Sequence, residues 1–297
     1  MKKILHSWQL YLLLLPAVLF FVLFKYVPMY GIVLAFKKQT ISGGFFSGDW
    51  VGLLYFKQLF EDPAFWNALR NTIIIGLYKL VFYFPVPIII AILLNEIRQK
   101  WFRNTIQTII YLPRFISWIV MAGLVMNVLS VNGGALNNII KLFGGEAQSF
   151  LTQASSFRAI VVITTIIKDS GWSSIIYFAA ISAINPELYE ACAIDGGGRL
   201  RQMWHITLPG LRPIITIMLI LTVGTILQQD TQQIMTLYSP NVYSTGDIIG
   251  TYVFRTGIEF GRFGFATAAN LFNSVVALIL TVVTNALSKR VGDDSLF

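Results

Sequence analysis

Charge is scarce in this sequence. Asp, Glu, Lys and Arg make up 12% of its 297 residues, about half of the roughly 25% that a soluble globular chain carries. So little polar surface cannot cover a water-soluble globule of this length. Cysteine is nearly absent. Cys192 stands alone, which excludes an internal disulfide framework and a cysteine metal cluster. It reads as a small packing residue. The two histidines, His6 and His205, lie at opposite ends of the chain, and no HExxH occurs. No metal site and no Ser–His–Asp arrangement is expected, so the chain reads as non-catalytic. A G-x-x-x-x-G-K-[ST] run is also missing, and with it the loop that cradles nucleotide phosphates. No internal repeat, low-complexity tract or flexible linker appears. One integral-membrane domain over residues 1–297 is the simplest organisation.

What is present is apolar. Hydrophobic residues reach 56% and the mean hydropathy is +0.68, which places the chain among helical membrane proteins. A span needs about 20 apolar residues to cross about 30 Å of hydrocarbon. Six stretches qualify: Leu10–Phe36, Ala68–Asn95, Thr105–Ser130, Arg158–Ala183, Pro209–Gln229 and Phe265–Leu287. The predicted fold is therefore all-α and polytopic, with about six transmembrane helices. Pro28 is expected to break the first helix before Phe36. The N-terminal MKKILHSW run has the look of a signal peptide, but no small-x-small cleavage site follows, so an uncleaved first span is expected.

The net charge of +8 does not point to nucleic acid, because the basic residues form no stripe. They fit membrane orientation instead. With the N-terminus inside, the inner segments hold Lys2, Lys3, Arg98, Lys100, Arg103, Arg199, Arg201, Arg212, Lys289 and Arg290. The longer outer segments hold Lys37, Lys38, Lys57, Arg70, Lys141, Arg158, Arg255 and Arg262. The density of positive charge is higher inside, so both termini are expected in the cytoplasm. Two outer segments, GGFFSGDWVGLLYFKQLFEDPAFWNALRN and SPNVYSTGDIIGTYVFRTGIEFGRFG, mix aromatics, glycine and charge as membrane-surface segments do.

That topology leaves 184–208 as a cytoplasmic loop. Asn185 caps a helix, Pro186 fits its first position and Glu187 faces the positive end of the dipole. The helix should run to about Asp195 and stop at Gly196, Gly197 and Gly198. RLRQMWHIT then forms a second short helix before Pro209 opens the fifth span. By architecture alone this unit is either a plain surface connector or a device that passes a push from a soluble partner into the bundle.

Its residues carry a pattern. Glu190, Ala191 and Cys192 are followed after three residues by Gly196, and after nine more by Ile206, Leu208 and Pro209. The pattern resembles the EAA loop of permease subunits of binding-protein-dependent ABC importers, with Cys192 replacing the second alanine. FEDPAFWNALRNTIIIG, YLPRFISWIV and GWSSIIYFAAISAINPELYEACAIDGG resemble the sugar-transporting branch, closest to permeases for complex oligosaccharides related to lipoprotein-associated sugar permeases of Gram-positive bacteria. The resemblance implies a type I importer permease fold in a bacterial cell membrane, with the loop docked in a cleft of a cytoplasmic ATPase. Glu190 would meet a basic residue there, Gly196 would form the corner, and Leu208 and Pro209 would tie the loop to the fifth span. Ala191, Cys192, Asp195 and Ile206 complete the coupling set. The implied partners are a second, similar permease, two copies of the ATPase carrying ATP and Mg, an extracellular solute-binding lipoprotein, membrane lipid and the oligosaccharide. No cofactor is expected in this chain. An ion-gradient-driven secondary transporter is the alternative, but repeated halves around an ion site are not seen.

Candidate substrate contacts are polar or aromatic groups inside the spans. Lys168 and Asp169 lie near the middle of the fourth span, and Arg114 lies in the third beside Pro113. They form either an ion-pair network that holds helices or part of a translocation cavity. Trp118 and Trp172 are packing residues or stacking platforms for sugar rings. Asp169, Trp172 and Ile176 share a helix face. Gln228 and Gln229 sit at the outer end of the fifth span. Asn270 and Asn273 sit on one face of the sixth, suited to interhelix hydrogen bonds or to sugar. Lys79 either snorkels or faces inward. An acidic oligosaccharide would give Arg114 and Lys168 a direct role.

Overall fold

The computed structural model describes residues 8–38 and 47–291. Lys2, Lys3 and His6 fall outside that range, and so does the start of the first outer segment. Among the described residues every regular element is helical, and the only strand-like feature is one antiparallel bridge, Lys37 to Trp50. Five helices are long and apolar enough to cross a membrane: α1 (Gln9–Phe36), α3 (Pro63–Glu96), α7 (Ala154–Ser182), α9 (Arg199–Gly224) and α12 (Phe263–Val291). A bent pair, α4 (Lys100–Phe115) and α5 (Trp118–Leu129), is long and apolar enough to make a sixth when its two arms count as one span. Shorter helices are α2 (Leu54–Glu61), α6 (Ala135–Leu142), α8 (Pro186–Ile194), α10 (Thr231–Leu237) and α11 (Ile249–Phe254).

Internal contacts divide the chain into two compact units, residues 1–62 with 253–272 and residues 63–252 with 273–297. In the first unit, Phe36 packs on Phe56 and Phe60 on Phe272, with ring centroids 5.6 Å and 5.4 Å apart. Lys37 lies over the Trp50 ring at 5.4 Å. Most of α1 is exposed on all sides, as expected of a helix whose solvent is lipid.

The second unit is organised around α7, which packs on α3, α4 and α9. Its buried face carries Phe157, Val161, Thr164, Lys168, Gly171, Ser174, Tyr177 and Ile181, repeating at three- and four-residue steps. Lipid tails are as apolar as these side chains, so close backbone approach does the holding. At Gly171 a Cβ would stand 2.0 Å from the Ile110 carbonyl oxygen of α4. Only glycine fits there.

Four expectations are corrected. The third span, expected as one helix over Thr105–Ser130, bends by 104° between Phe115 and Trp118. Pro113 tightens its end into a 3₁₀ turn over Leu112–Phe115, and Ile116 and Ser117 are extended. The fifth span begins ten residues before Pro209, at Arg199, and ends at Gly224. A π turn over Met203–Thr207, closed by the Leu208 N–H on the Met203 carbonyl, carries the helix past Pro209. Gln228 and Gln229 therefore lie in the following turn, not in the span. Pro28 does not stop the first helix; winding continues as 3₁₀ over Tyr30–Phe36. Much of the second outer segment is core, not surface: Val242, Ile248, Ile249, Thr251 and Tyr252 are all buried. Polar side chains draw it in. Asn67 and Asn71 donate to the Tyr243 and Asp247 carbonyls at 3.0 Å, and Arg158 donates to the Thr245 carbonyl at 3.2 Å and to Asn71 Oδ1 at 2.8 Å.

Candidate functional site

The bend in the third span is the first candidate site. Breaking a helix at membrane depth leaves carbonyls without partners, and hydrocarbon offers none. Lys168 supplies them. Its buried ammonium donates to the carbonyls of Arg114 (3.1 Å), Pro113 (3.4 Å) and Ile116, and it lies over the Trp118 ring at 5.3 Å. A cation at the negative end of a helix also meets a favourable dipole. On the other side of the bend Ser117 caps α5 by accepting from the Val120 N–H at 3.3 Å. Trp118 Nε1 donates to Asp230. Asp230 in turn caps α10 by accepting from the Gln233 N–H at 3.2 Å.

Around this seal other polar groups gather. Arg114 Nη1 donates to Asp169 Oδ1 at 2.7 Å. The Arg114 side chain is 48% exposed and that of Asp169 19%. Phe115 and Trp172 meet edge to face, with ring centroids 5.6 Å apart. Deeper in the unit, Lys79 donates to Gln233 Oε1 at 3.0 Å, and the Gln233 amide donates to the Val161 carbonyl at 2.8 Å and to Thr164 Oγ1 at 2.9 Å. Tyr83 and Ser173 share a hydrogen bond of 2.8 Å. Lys79 thus faces inward and does not snorkel.

Asp169 lies fifteen residues into the 29-residue α7, about 22 Å from one end and 20 Å from the other at 1.5 Å per residue. Arg114, Trp118, Lys168, Asp169 and Trp172 thus form one cluster at membrane depth. Asn273 is not part of it; its amide donates to the Leu227 carbonyl at 3.3 Å, and its buried Oδ1 has no partner among the described residues. Asn270 is exposed and belongs to the other compact unit. Gln229 closes on its own turn, donating to the Ile226 carbonyl at 2.6 Å. Sequence reasoning passed over Asp230 and Gln233. Their signal was present, because Asp230 with Gln233 three residues on has the spacing of a capping box. The cluster pairs no nucleophile with a general base. It offers hydrogen-bonding groups and aromatic faces.

The second candidate is the polar loop. Asn185 Oδ1 accepts from the Glu187 N–H at 3.1 Å and starts α8. The helix ends after Ile194, where Gly196 turns the chain at φ +75°. The Gly197 N–H then reaches the Cys192 carbonyl at 2.7 Å and the Gly196 N–H the Ala193 carbonyl at 3.1 Å, the paired bonds of a Schellman stop. Behind α8, Tyr189 OH meets Thr207 Oγ1 at 3.0 Å, and Gln202 donates to the Tyr189 carbonyl at 3.2 Å. Arg199 lies 3.8 Å from Glu96. RLRQMWHIT is therefore no separate helix; it is the first two turns of α9. Ile206 and Leu208 are half-buried and Pro209 is exposed. Glu190, Ala191, Ile194 and Asp195 lie on the opposite, exposed face of α8, with Ile194 86% exposed. Cys192 is half-buried.

Residues 83–293 match the family described as binding-protein-dependent transport system inner membrane component. The polygalacturonan/rhamnogalacturonan transport system permease protein YteP of Bacillus subtilis (strain 168) is 42% identical over 295 residues, 99% of this chain and 92% of that protein. Protein LplB of the same organism is 41% identical over 288 residues, 97% of this chain and 91% of its own. A chain of a bacterial ABC transporter that imports the acidic polysaccharide alginate superposes with a TM-score of 0.90 at 40% identity, covering 97% of this chain and 98% of that one. The same score is found, at 39% identity, for the alginate transporter in complex with its pentasaccharide-bound periplasmic protein. The chain therefore belongs to the binding-protein-dependent transport system inner membrane component family, as a multi-pass permease with the type I importer fold.

Proposed function

We propose that this chain is one of two permease subunits of an ATP-driven importer for oligosaccharides cut from acidic polysaccharides. It forms half of the translocation pathway as a single integral-membrane domain, in a bacterial cell membrane with both termini in the cytoplasm. It binds no nucleotide or metal; ATP and Mg belong to two copies of a cytoplasmic ATPase, and an extracellular solute-binding lipoprotein delivers the sugar. The names of the relatives support the substrate class.

The observation that carries the coupling role is the loop itself. The inner side of α8 is braced against Gln202 and Thr207, and the loop runs without interruption into a membrane-crossing helix. Its outer side presents Leu188, Glu190, Ala191 and Ile194 exposed. Glu190 makes no ion pair among the described residues. An exposed face that sets Leu188, Ala191 and Ile194 among the acids Glu187, Glu190 and Asp195 suits a cleft on a soluble protein. Asp195 and Gly196 hold the corner, Cys192 packs behind it, and Ile206, Leu208 and Pro209 pass the motion into α9.

Purification of the chain with the products of its neighbouring genes tests this reading. An ATPase co-purifies, and Glu190→Gln or Gly196→Val breaks the link between hydrolysis and sugar uptake. Full uptake in proteoliposomes without any ATPase, or unchanged coupling in both variants, overturns it.

A further inference from the structure

Three cations, Lys79, Arg114 and Lys168, surround the bend in the second unit, and two are already committed. Lys168 is buried beneath the backbone of the bend. Lys79 is bound to Gln233 inside the helix packing. Arg114 differs. It makes one contact, through Nη1, and nearly half of its side chain is exposed. A guanidinium has five N–H donors in a planar fork that matches a carboxylate in bidentate fashion. One monodentate partner leaves most of that fork open.

The position indicates which way the open side faces. A charge turned to lipid at the bilayer centre costs about 2.5–3.5 kcal/mol even on the mildest scale, so such groups border a polar cavity or pathway. Phe115, next in sequence to Arg114, is 73% exposed, and it meets Trp172, 44% exposed and one turn beyond Asp169 on α7, edge to face. A cation with an internal counter-ion, flanked by open aromatic faces, is built to take a sugar carboxylate while the ring stacks. We infer that Arg114 is the specificity-determining residue of the pathway, and that the Arg114–Asp169 pair is an exchange point. A passing uronate carboxylate replaces Asp169 on the guanidinium, and Asp169 takes the pair back as the sugar moves on. Acidic oligosaccharides gain a charged partner there; neutral ones meet a closed pair. This inference rests on the acidic-oligosaccharide reading above.

The test uses the complete importer in proteoliposomes with competing tri- and tetrasaccharides of galacturonate and of galactose. Wild type prefers the acidic pair. Arg114→Gln lowers uptake of the acidic sugars relative to the neutral ones by about 10- to 100-fold, the loss of one hydrogen bond between charged groups. Arg114→Lys retains a measurable part of the preference. Asp169→Asn, which frees the guanidinium, lowers the KM for acidic sugar and slows its release. Equal loss for acidic and neutral sugars in Arg114→Gln, or no change in their ratio, overturns the inference while leaving the importer reading intact. Wild-type uptake of neutral sugars only overturns the substrate class as well.

Discussion

Replacing Lys168 by Met separates a structural cation from a pathway cation. The flexible thioether fills nearly the same volume but donates nothing. Three carbonyls, those of Pro113, Arg114 and Ile116, lose their shared donor. Each buried acceptor left without a partner costs about 1–3 kcal/mol, or about 3–9 kcal/mol for the three. Relief from burying an ammonium offsets this by about 2.5–3.5 kcal/mol. Taking the middle of each range, the unpaired carbonyls leave a net loss of about 3 kcal/mol. At about 2–4 °C per kcal/mol for a large domain, the detergent-solubilised complex should lose on the order of 10 °C of thermal stability. The assay is the fraction of monodisperse complex left after heating, read by size-exclusion chromatography, with uptake of acidic and neutral sugars measured at low temperature. The acidic-to-neutral ratio should stay at the wild-type value. Arg114→Gln should do the opposite, because a pair this exposed contributes little to stability. A Lys168→Met importer as stable as wild type but unable to prefer acidic sugar would refute the assignment of Lys168 to the bend.

Other outcomes are expected. Gly171→Leu should abolish accumulation of folded complex, because even a Cβ at this position would stand 2.0 Å from the Ile110 carbonyl oxygen; membrane-fraction yield checks this. Gly196→Val places a β-branched residue at φ +75°, which costs about 1–2 kcal/mol and should lower the ratio of sugar imported to ATP hydrolysed, with the complex still assembled. Arg158→Met removes the bonds to the Thr245 carbonyl and Asn71, so the segment around 240–247 should open to proteases at concentrations that spare the wild type.

The polar loop over residues 184–208 could be read closely from sequence because its structure is local. Asn185, Pro186 and Gly196 each act on hydrogen-bonding groups within a few residues, and the helix starts and stops where their chemistry says. Its continuation was read less well. The π turn over Met203–Thr207 joins what seemed a separate helix to the fifth span, and no propensity announces it. The polar cluster around Arg114 and Lys168 was legible as a set of costly side chains, since charge inside an apolar run always needs a reason. Their roles were not. Lys168 and Asp169 are adjacent in sequence, yet one seals backbone and the other pairs with an open guanidinium, because successive residues on a helix point about 100° apart.

Hydropathy by itself determined that this chain lives in a membrane, about where it crosses, and that a capped polar hairpin interrupts the crossings. These follow from length, composition and contacts a few residues apart. Tertiary structure decided how the bend in the third crossing is held, because the groups that stabilise it, Lys168 and Asp230, come from segments far away in sequence. It also decided that the segment around 242–252 is core, since Asn71 and Arg158 satisfy carbonyls that would otherwise have sought water. In each case a backbone polar group removed from water needed a partner, and only the folded chain shows which partner arrives.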